Sequence, residues 1–146
     1  MRATARLGAW PPAAVLAAAG MAAACAHPFH FPPAFAPEAG YVQVGIASWY
    51  GPGHDGRRTS NGEVFDQDGL TAAHPSFAFG TLVRVTLVST GRSVVVRIND
   101  RFPAYKGRII DVSRGAARRI GLIGPGTGKV RLVVVTEAAE EADPGR

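Results

Sequence analysis

The sequence predicts an all-β fold, a small closed barrel carrying one short helix. Three observations point there. Glycine (18 residues) and proline (11) are both abundant, which favours many turns over long helices. Between Tyr41 and Val135 several runs of modest length carry strand patterning and are separated by Gly-rich loops. Only one stretch of that region carries helix signals, and closure into a barrel leaves such strands without an exposed edge.

Tyr41–Tyr50 mixes β-branched and aromatic residues in near alternation before Gly51-Pro52-Gly53 stops it, so it reads as the first strand. Leu82–Leu87 alternates through Arg84 and Thr86. Ser93–Ile98 follows after Ser89-Thr90-Gly91-Arg92, a spacing that suits a hairpin. Arg108–Asp111 is a short apolar-centred run. The helix comes next: Ser113 caps its start, Ala116 and Ala117 favour its interior, Arg118 and Arg119 suit its negative end, and Gly121 terminates it. Val130–Val135 is nearly continuously apolar, as expected of a buried closing strand.

The flanks differ from this domain. Met1–Ala24 has Arg2 and Arg6, an apolar run, then Ala22, Ala23 and Ala24: the three parts of a secretory leader. Pro11, Pro12 and Gly20 interrupt the run, which suits a leader better than a spanning helix. Cys25, the single cysteine, follows directly. It has no intrachain partner, and its position resembles a lipobox, in which the cysteine becomes the acylated first residue of the mature chain. The expected location is the periplasmic face of a membrane; Ala26 rather than Asp after the cysteine resembles the outer-membrane sorting rule. Cleavage at an ordinary A-x-A site, releasing a soluble periplasmic protein, is the alternative. Residues 25–40, with Pro28, Pro32, Pro33 and Pro37, read as an extended tether, residues 41–136 as the barrel and residues 137–146 as an acidic disordered tail.

The chain carries 16 basic and 11 acidic residues, a net charge of +5; loss of Arg2 and Arg6 with the leader leaves 14 against 11, or +3. So mild a charge, with Arg118-Arg119 the only short basic block on the helix, excludes nucleic acid as the expected partner and fits an anionic wall or membrane surface. Three motif matches fail on context. Gly51-Pro-Gly53-His-Asp-Gly56 spells G-x-G-x-x-G but opens no helix. Gly124–Lys129 lacks the first Gly and the Ser or Thr of a phosphate loop and reads as a turn. Asp66-Gln-Asp68-Gly69 lacks the third ligand and later Glu of a calcium loop. His27 and His30 sit in the tether without an ordered scaffold, so no metal or other cofactor is expected.

What remains is a set of polar residues at strand ends: Glu63, His74, Asn99-Asp100 and Asp111. The segments Gly45-Ile-Ala-Ser-Trp-Tyr-Gly51, Thr59-Ser-Asn-Gly-Glu63, Leu70-Thr-Ala-Ala-His74, Phe79-Gly-Thr81, Arg97-Ile-Asn-Asp-Arg101 and Gly107-Arg-Ile-Ile-Asp-Val-Ser113 occur in this order and cover nearly all of Gly45–Leu122. In this series the chain resembles the rare lipoprotein A family. The resemblance implies a six-stranded double-psi β-barrel with one or two short helices, similar to expansins. It also implies lytic transglycosylase activity on peptidoglycan glycan strands: an acid protonates the leaving glycosidic oxygen, and the muramic acid's own C6 hydroxyl closes on C1 to give a 1,6-anhydro end.

Asp100 matches the family's Asp and is the expected general acid. Arg97 and Arg101 would hold it ionised if they pointed at it, but strand alternation sends Arg97 and Asn99 to one face and Ile98 and Asp100 to the other. Glu63 and Asp111 are candidate second carboxylates; otherwise Glu63 is a solvated residue after an Asn-Gly turn and Asp111 an anion near a helix start. His74 is expected to orient or charge-balance a carboxylate, the alternative being an imidazole satisfied by backbone groups before Pro75. Asn99 and Arg101, flanking Asp100, and Trp49 and Tyr50 are the candidate substrate-binding residues. Alternation lets only one of the two aromatics face the core, leaving the other for a sugar ring.

The expected partners are peptidoglycan glycan strands and, through acylated Cys25, a membrane; the protein is expected to be a monomer. Two other readings compete with a lyase: an expansin-like binding or wall-loosening module with no bond cleavage, and a hydrolase in which a second carboxylate activates water.

Overall fold

The computed structural model describes residues 31–138. The leader, Cys25, His27 and His30 lie outside the described residues, as does the tail from residue 139 onward. Six strands and one helix follow in the order β1 (Val42–Tyr50), β2 (Thr71–Ala73), β3 (Leu82–Leu87), β4 (Ser93–Asp100), β5 (Arg108–Ser113), α1 (Arg114–Ile120) and β6 (Thr127–Val135). They close into a barrel in the spatial order β1-β5-β2-β4-β3-β6. The β1–β6, β6–β3, β3–β4 and β2–β5 pairs are antiparallel, whereas β1–β5 and β2–β4 are parallel.

Alternation builds the core. Val83, Val85 and Leu87 of β3 point inward with Val94, Val96 and Ile98 of β4 and Val130, Leu132 and Val134 of β6. The last strand departs from expectation in two ways. It starts at Thr127, so Thr127–Lys129 belong to the strand and not to a preceding turn, with Thr127 opposite Ser48. It is also buried on one face only, Val133 and Val135 being half-exposed on the outside. The helix plugs the barrel with Ala116, Ala117 and Ile120. Its caps are those the sequence predicts: the Ser113 hydroxyl accepts from the Ala116 N–H (3.2 Å), and Gly121 closes it in the left-handed conformation at φ 80°.

Two features go beyond the sequence reading. β2 is a three-residue strand, and its register against β4 slips: Ala72 pairs with Ile98 but Ala73 with Asp100, leaving Asn99 as the extra residue. Such a bulge re-aims the side chains beyond it. The segment expected to be a free tether also touches down on the barrel. Phe35 donates its N–H to the Ser76 carbonyl (2.9 Å) and accepts from the Ala78 N–H (2.7 Å), and its ring joins Tyr41 and Phe77 in an edge-to-face cluster with centroids 5.4 to 5.9 Å apart.

Candidate active site

The bulge at the end of β4 organises the site. Arg97 and Asn99 emerge on one side, where both meet Glu63 from the loop between β1 and β2. The Glu63 carboxylate accepts from Arg97 Nη1 (2.7 Å) and Nη2 (2.9 Å), from Asn99 Nδ2 (3.1 Å) and from Asn61 Nδ2 (2.9 Å). These donors, Arg97 foremost, hold its pKa down at about 2. Glu63 is therefore a permanently charged strut pinning the loop to β4, away from the cavity described below. A proton donor is the one thing it is not at neutral pH.

The pinned loop brings Ser60 over Asp100. Asp100 Oδ1 accepts from the Ser60 hydroxyl (2.6 Å), the Ser60 N–H (2.9 Å) and the Arg101 N–H (2.8 Å). No hydrogen bond from a described residue reaches Oδ2. One oxygen is thus fixed and the other is open. The arginines do not close on it: Arg97 is committed to Glu63, and the Arg101 guanidinium donates to the carbonyls of His74 (3.2 Å) and Asp100 (3.3 Å) while lying 4.0 Å from the centre of the Phe79 ring.

Asp100 lines a cavity of about 140 Å³ together with Tyr50, His54, Ala73, Arg101, Phe102 and Asp111. Asp111 is buried within β5, and both of its oxygens are engaged: Oδ1 accepts from the Ser48 hydroxyl (2.6 Å) and Arg108 Nε (3.1 Å), and Oδ2 from Arg108 Nη2. Tyr50 closes the other wall. Its ring stacks on Phe65 (4.5 Å, 17°) and meets His54 edge-on (5.7 Å), and its hydroxyl is buried with no hydrogen-bond partner among the described residues. Burial first, then the charges of Asp100 and Asp111, push its pKa up, so it stays a neutral phenol.

Of the residues singled out from sequence, Asp100, Asp111, Tyr50 and Arg101 come together around the cavity; Glu63, Asn99, His74 and Trp49 do not line it. His74 orients no carboxylate. Its ring is 2% exposed and stacks on Phe77 (3.7 Å, 14°). Nδ1 accepts the N–H groups of Ser76 (3.1 Å) and Phe77 (3.0 Å), and Nε2 faces Gln43 Oε1 at 3.0 Å, which fixes the proton on Nε2. Burial and the nearby Arg101 hold its pKa at about 4, so the expected charge-balancing role gives way to a neutral imidazole satisfied by the backbone. Trp49 packs against the core, leaving Tyr50 for the cavity. Sequence reasoning missed Ser60, Ser48 and Arg108. All three stand inside the quoted segments, and that was the signal available for them. Among the described residues, no group of three or more His, Cys, Asp or Glu is placed to hold a metal.

Fold and site together define a double-psi β-barrel whose strand ends present one open carboxylate oxygen in a small cavity. The family model described as lytic transglycolase matches residues 42–132, more than half of the chain, and the chain belongs to that family. It is 60% identical over 94 residues to the probable endolytic peptidoglycan transglycosylase RlpA of Synechocystis sp. (64% of this chain, 29% of the relative). It is 51% identical over 96 residues to the endolytic peptidoglycan transglycosylase RlpA of Campylobacter jejuni (66% and 35%). The chain thus spans about a third of the length of these curated relatives. Among solved structures it resembles the Streptomyces papain inhibitor (TM-score 0.55, 20% identity, 67% of this chain and 97% of that one) and the expansin of Clavibacter michiganensis (TM-score 0.53, 21% identity, 66% and 52%), a likeness of fold alone.

Proposed function

We propose that the barrel is a lytic transglycosylase that cleaves peptidoglycan glycan strands without water, with Asp100 as its acid. The carrying observation is the asymmetry of the two cavity carboxylates: Asp100 has an open oxygen, whereas both oxygens of Asp111 are taken by Ser48 and Arg108. A hydrolase needs a second carboxylate free to activate water. The non-hydrolytic route needs one group: Asp100 gives its proton to the leaving glycosidic oxygen, the muramic acid C6 oxygen closes on C1, and the proton released from that hydroxyl returns to the carboxylate. The names of the relatives support the same substrate. The reading extends to acylation of Cys25 and attachment of a monomeric protein to the periplasmic face of a membrane, which the position of Cys25 after the leader supports.

The test is incubation of the purified protein with peptide-stripped glycan strands, the new ends being identified by mass spectrometry. Anhydro ends are expected, falling by about 10²- to 10⁴-fold in Asp100→Asn, which keeps the Ser60 contacts. Reducing ends would mean a hydrolase. Intact strands that still bind the folded protein would mean a non-catalytic, expansin-like module.

A further inference from the structure

The phenol of Tyr50 stands out among the polar groups of the cavity. Folded proteins pair nearly all buried side-chain polar atoms, and an exception calls for an explanation. Tyr50 Oη is buried, has no hydrogen-bond partner among the described residues, and belongs to a residue of the cavity wall that feels the charges of both Asp100 and Asp111. The ring has partners of its own, with Phe65 stacked on it and His54 against it. Tyr50 is thus a poor platform for stacking a sugar, the role its position in the sequence suggests for it. What it has to offer is one O–H.

Burial first, then Asp100 and Asp111, favour the neutral, donor-bearing form of the phenol. No described residue takes the proton, and the hydroxyl belongs to a residue of the cavity wall, where an oxygen of a bound glycan, whether hydroxyl, ring or amide carbonyl, can accept it. We propose that the Tyr50 hydroxyl donates a hydrogen bond to an oxygen of the sugar at the cleaved bond, holding that sugar against Asp100. Tyr50 is then a catalytic residue through its oxygen and not its ring. This rests on the glycan-cleaving reading given above.

Tyr50→Phe removes the hydroxyl and keeps the ring, and two readouts separate the possibilities. The first is thermal stability without ligand. A hydroxyl that bonds only to substrate is an unpaired burden in the free protein, so Tyr50→Phe is expected to melt at or above the wild-type temperature. The second is affinity for soluble peptide-stripped strands, measured by calorimetry in an Asp100→Asn background so that nothing is cleaved. It is expected to fall about tenfold, with kcat/KM of the single Tyr50→Phe variant falling at least as much. A lower melting temperature with unchanged affinity would make the hydroxyl a structural group, and no change in either would make it idle; both overturn the proposal. Absence of anhydro ends from the wild type would sink the lyase reading separately, because the affinity difference between Tyr50 and Phe is read without turnover.

Discussion

At the scale of single residues, two titrations in the shell around the cavity set how the protein responds to acid. His74 is neutral in the folded state down to about pH 4, whereas in the unfolded chain it titrates near 6.5. Between those values the unfolded chain binds the extra proton. Stability is therefore complete above pH 6.5 and falls by about 3 kcal/mol as the pH drops to 4. Glu63 acts in a lower window: its pKa moves from 4.5 to about 2, so its contribution is present above pH 4.5 and lost as the pH falls through 2. That pair is partly exposed and screened by water, which leaves it worth about 1 kcal/mol. Urea unfolding from pH 7.5 to 2 should show the upper slope flattened in His74→Asn and the lower one in Glu63→Gln. An unchanged slope between pH 6.5 and 4 in His74→Asn would refute the assignment. The sequence shows that a histidine precedes Pro75, but not that the N–H groups of Ser76 and Phe77 turn back onto its ring, because that depends on where the chain goes next. Asp100, by contrast, stands out in the sequence through its segment, while its partner Ser60 lies forty positions away and becomes visible only when Glu63 ties the loop down.

At the scale of elements, legibility follows locality. The β3–β4 hairpin and the caps of α1 are encoded within a few residues each, and their expected bounds agree with the structure to within two residues. β2 has three residues, too few for a period, and exists because β4 and β5 flank it. The bulge at Asn99 leaves no local mark either, and without it Asp100 would follow Ile98 into the core. Between helix and loop the fit is tighter than any pattern reveals. Gly115 donates its N–H to the Gln67 carbonyl (2.8 Å), and a Cβ added there would lie 2.3 Å from the backbone oxygen of Asp68. Backbone cannot rotate aside as a side chain can. Gly115→Ala is therefore expected to cost about 2–3 kcal/mol by forcing α1 off the loop, against a near-zero effect of Arg119→Ala on the exposed side of the same helix. Chemical denaturation of the two variants checks this, and equal midpoints would show that the helix moves freely.

At the scale of the whole molecule, the question is how the cavity sits relative to a membrane anchor. Phe35 is held to the barrel through backbone hydrogen bonds on both sides of its peptide and through its ring, so the distance from Cys25 to the barrel is counted to Phe35 and not to the start of β1. Phe35 lies ten residue steps beyond Cys25, and a fully extended chain of that length spans at most about 35 Å. A lipid at Cys25 would then confine the cavity to a shell near the bilayer, while the cavity itself is built from residues of β1, β2, β4 and β5 and of the loops that follow β1 and β4. Position and catalysis should therefore separate cleanly. In Cys25→Ser the protein is expected to move from the membrane fraction to the soluble periplasmic fraction, while the purified variant forms anhydro ends on soluble strands at the wild-type rate. Retention in the membrane fraction would overturn acylation at Cys25 and place the attachment elsewhere in the chain. A drop in rate on soluble strands would mean that the segment before Phe35 takes part in the site.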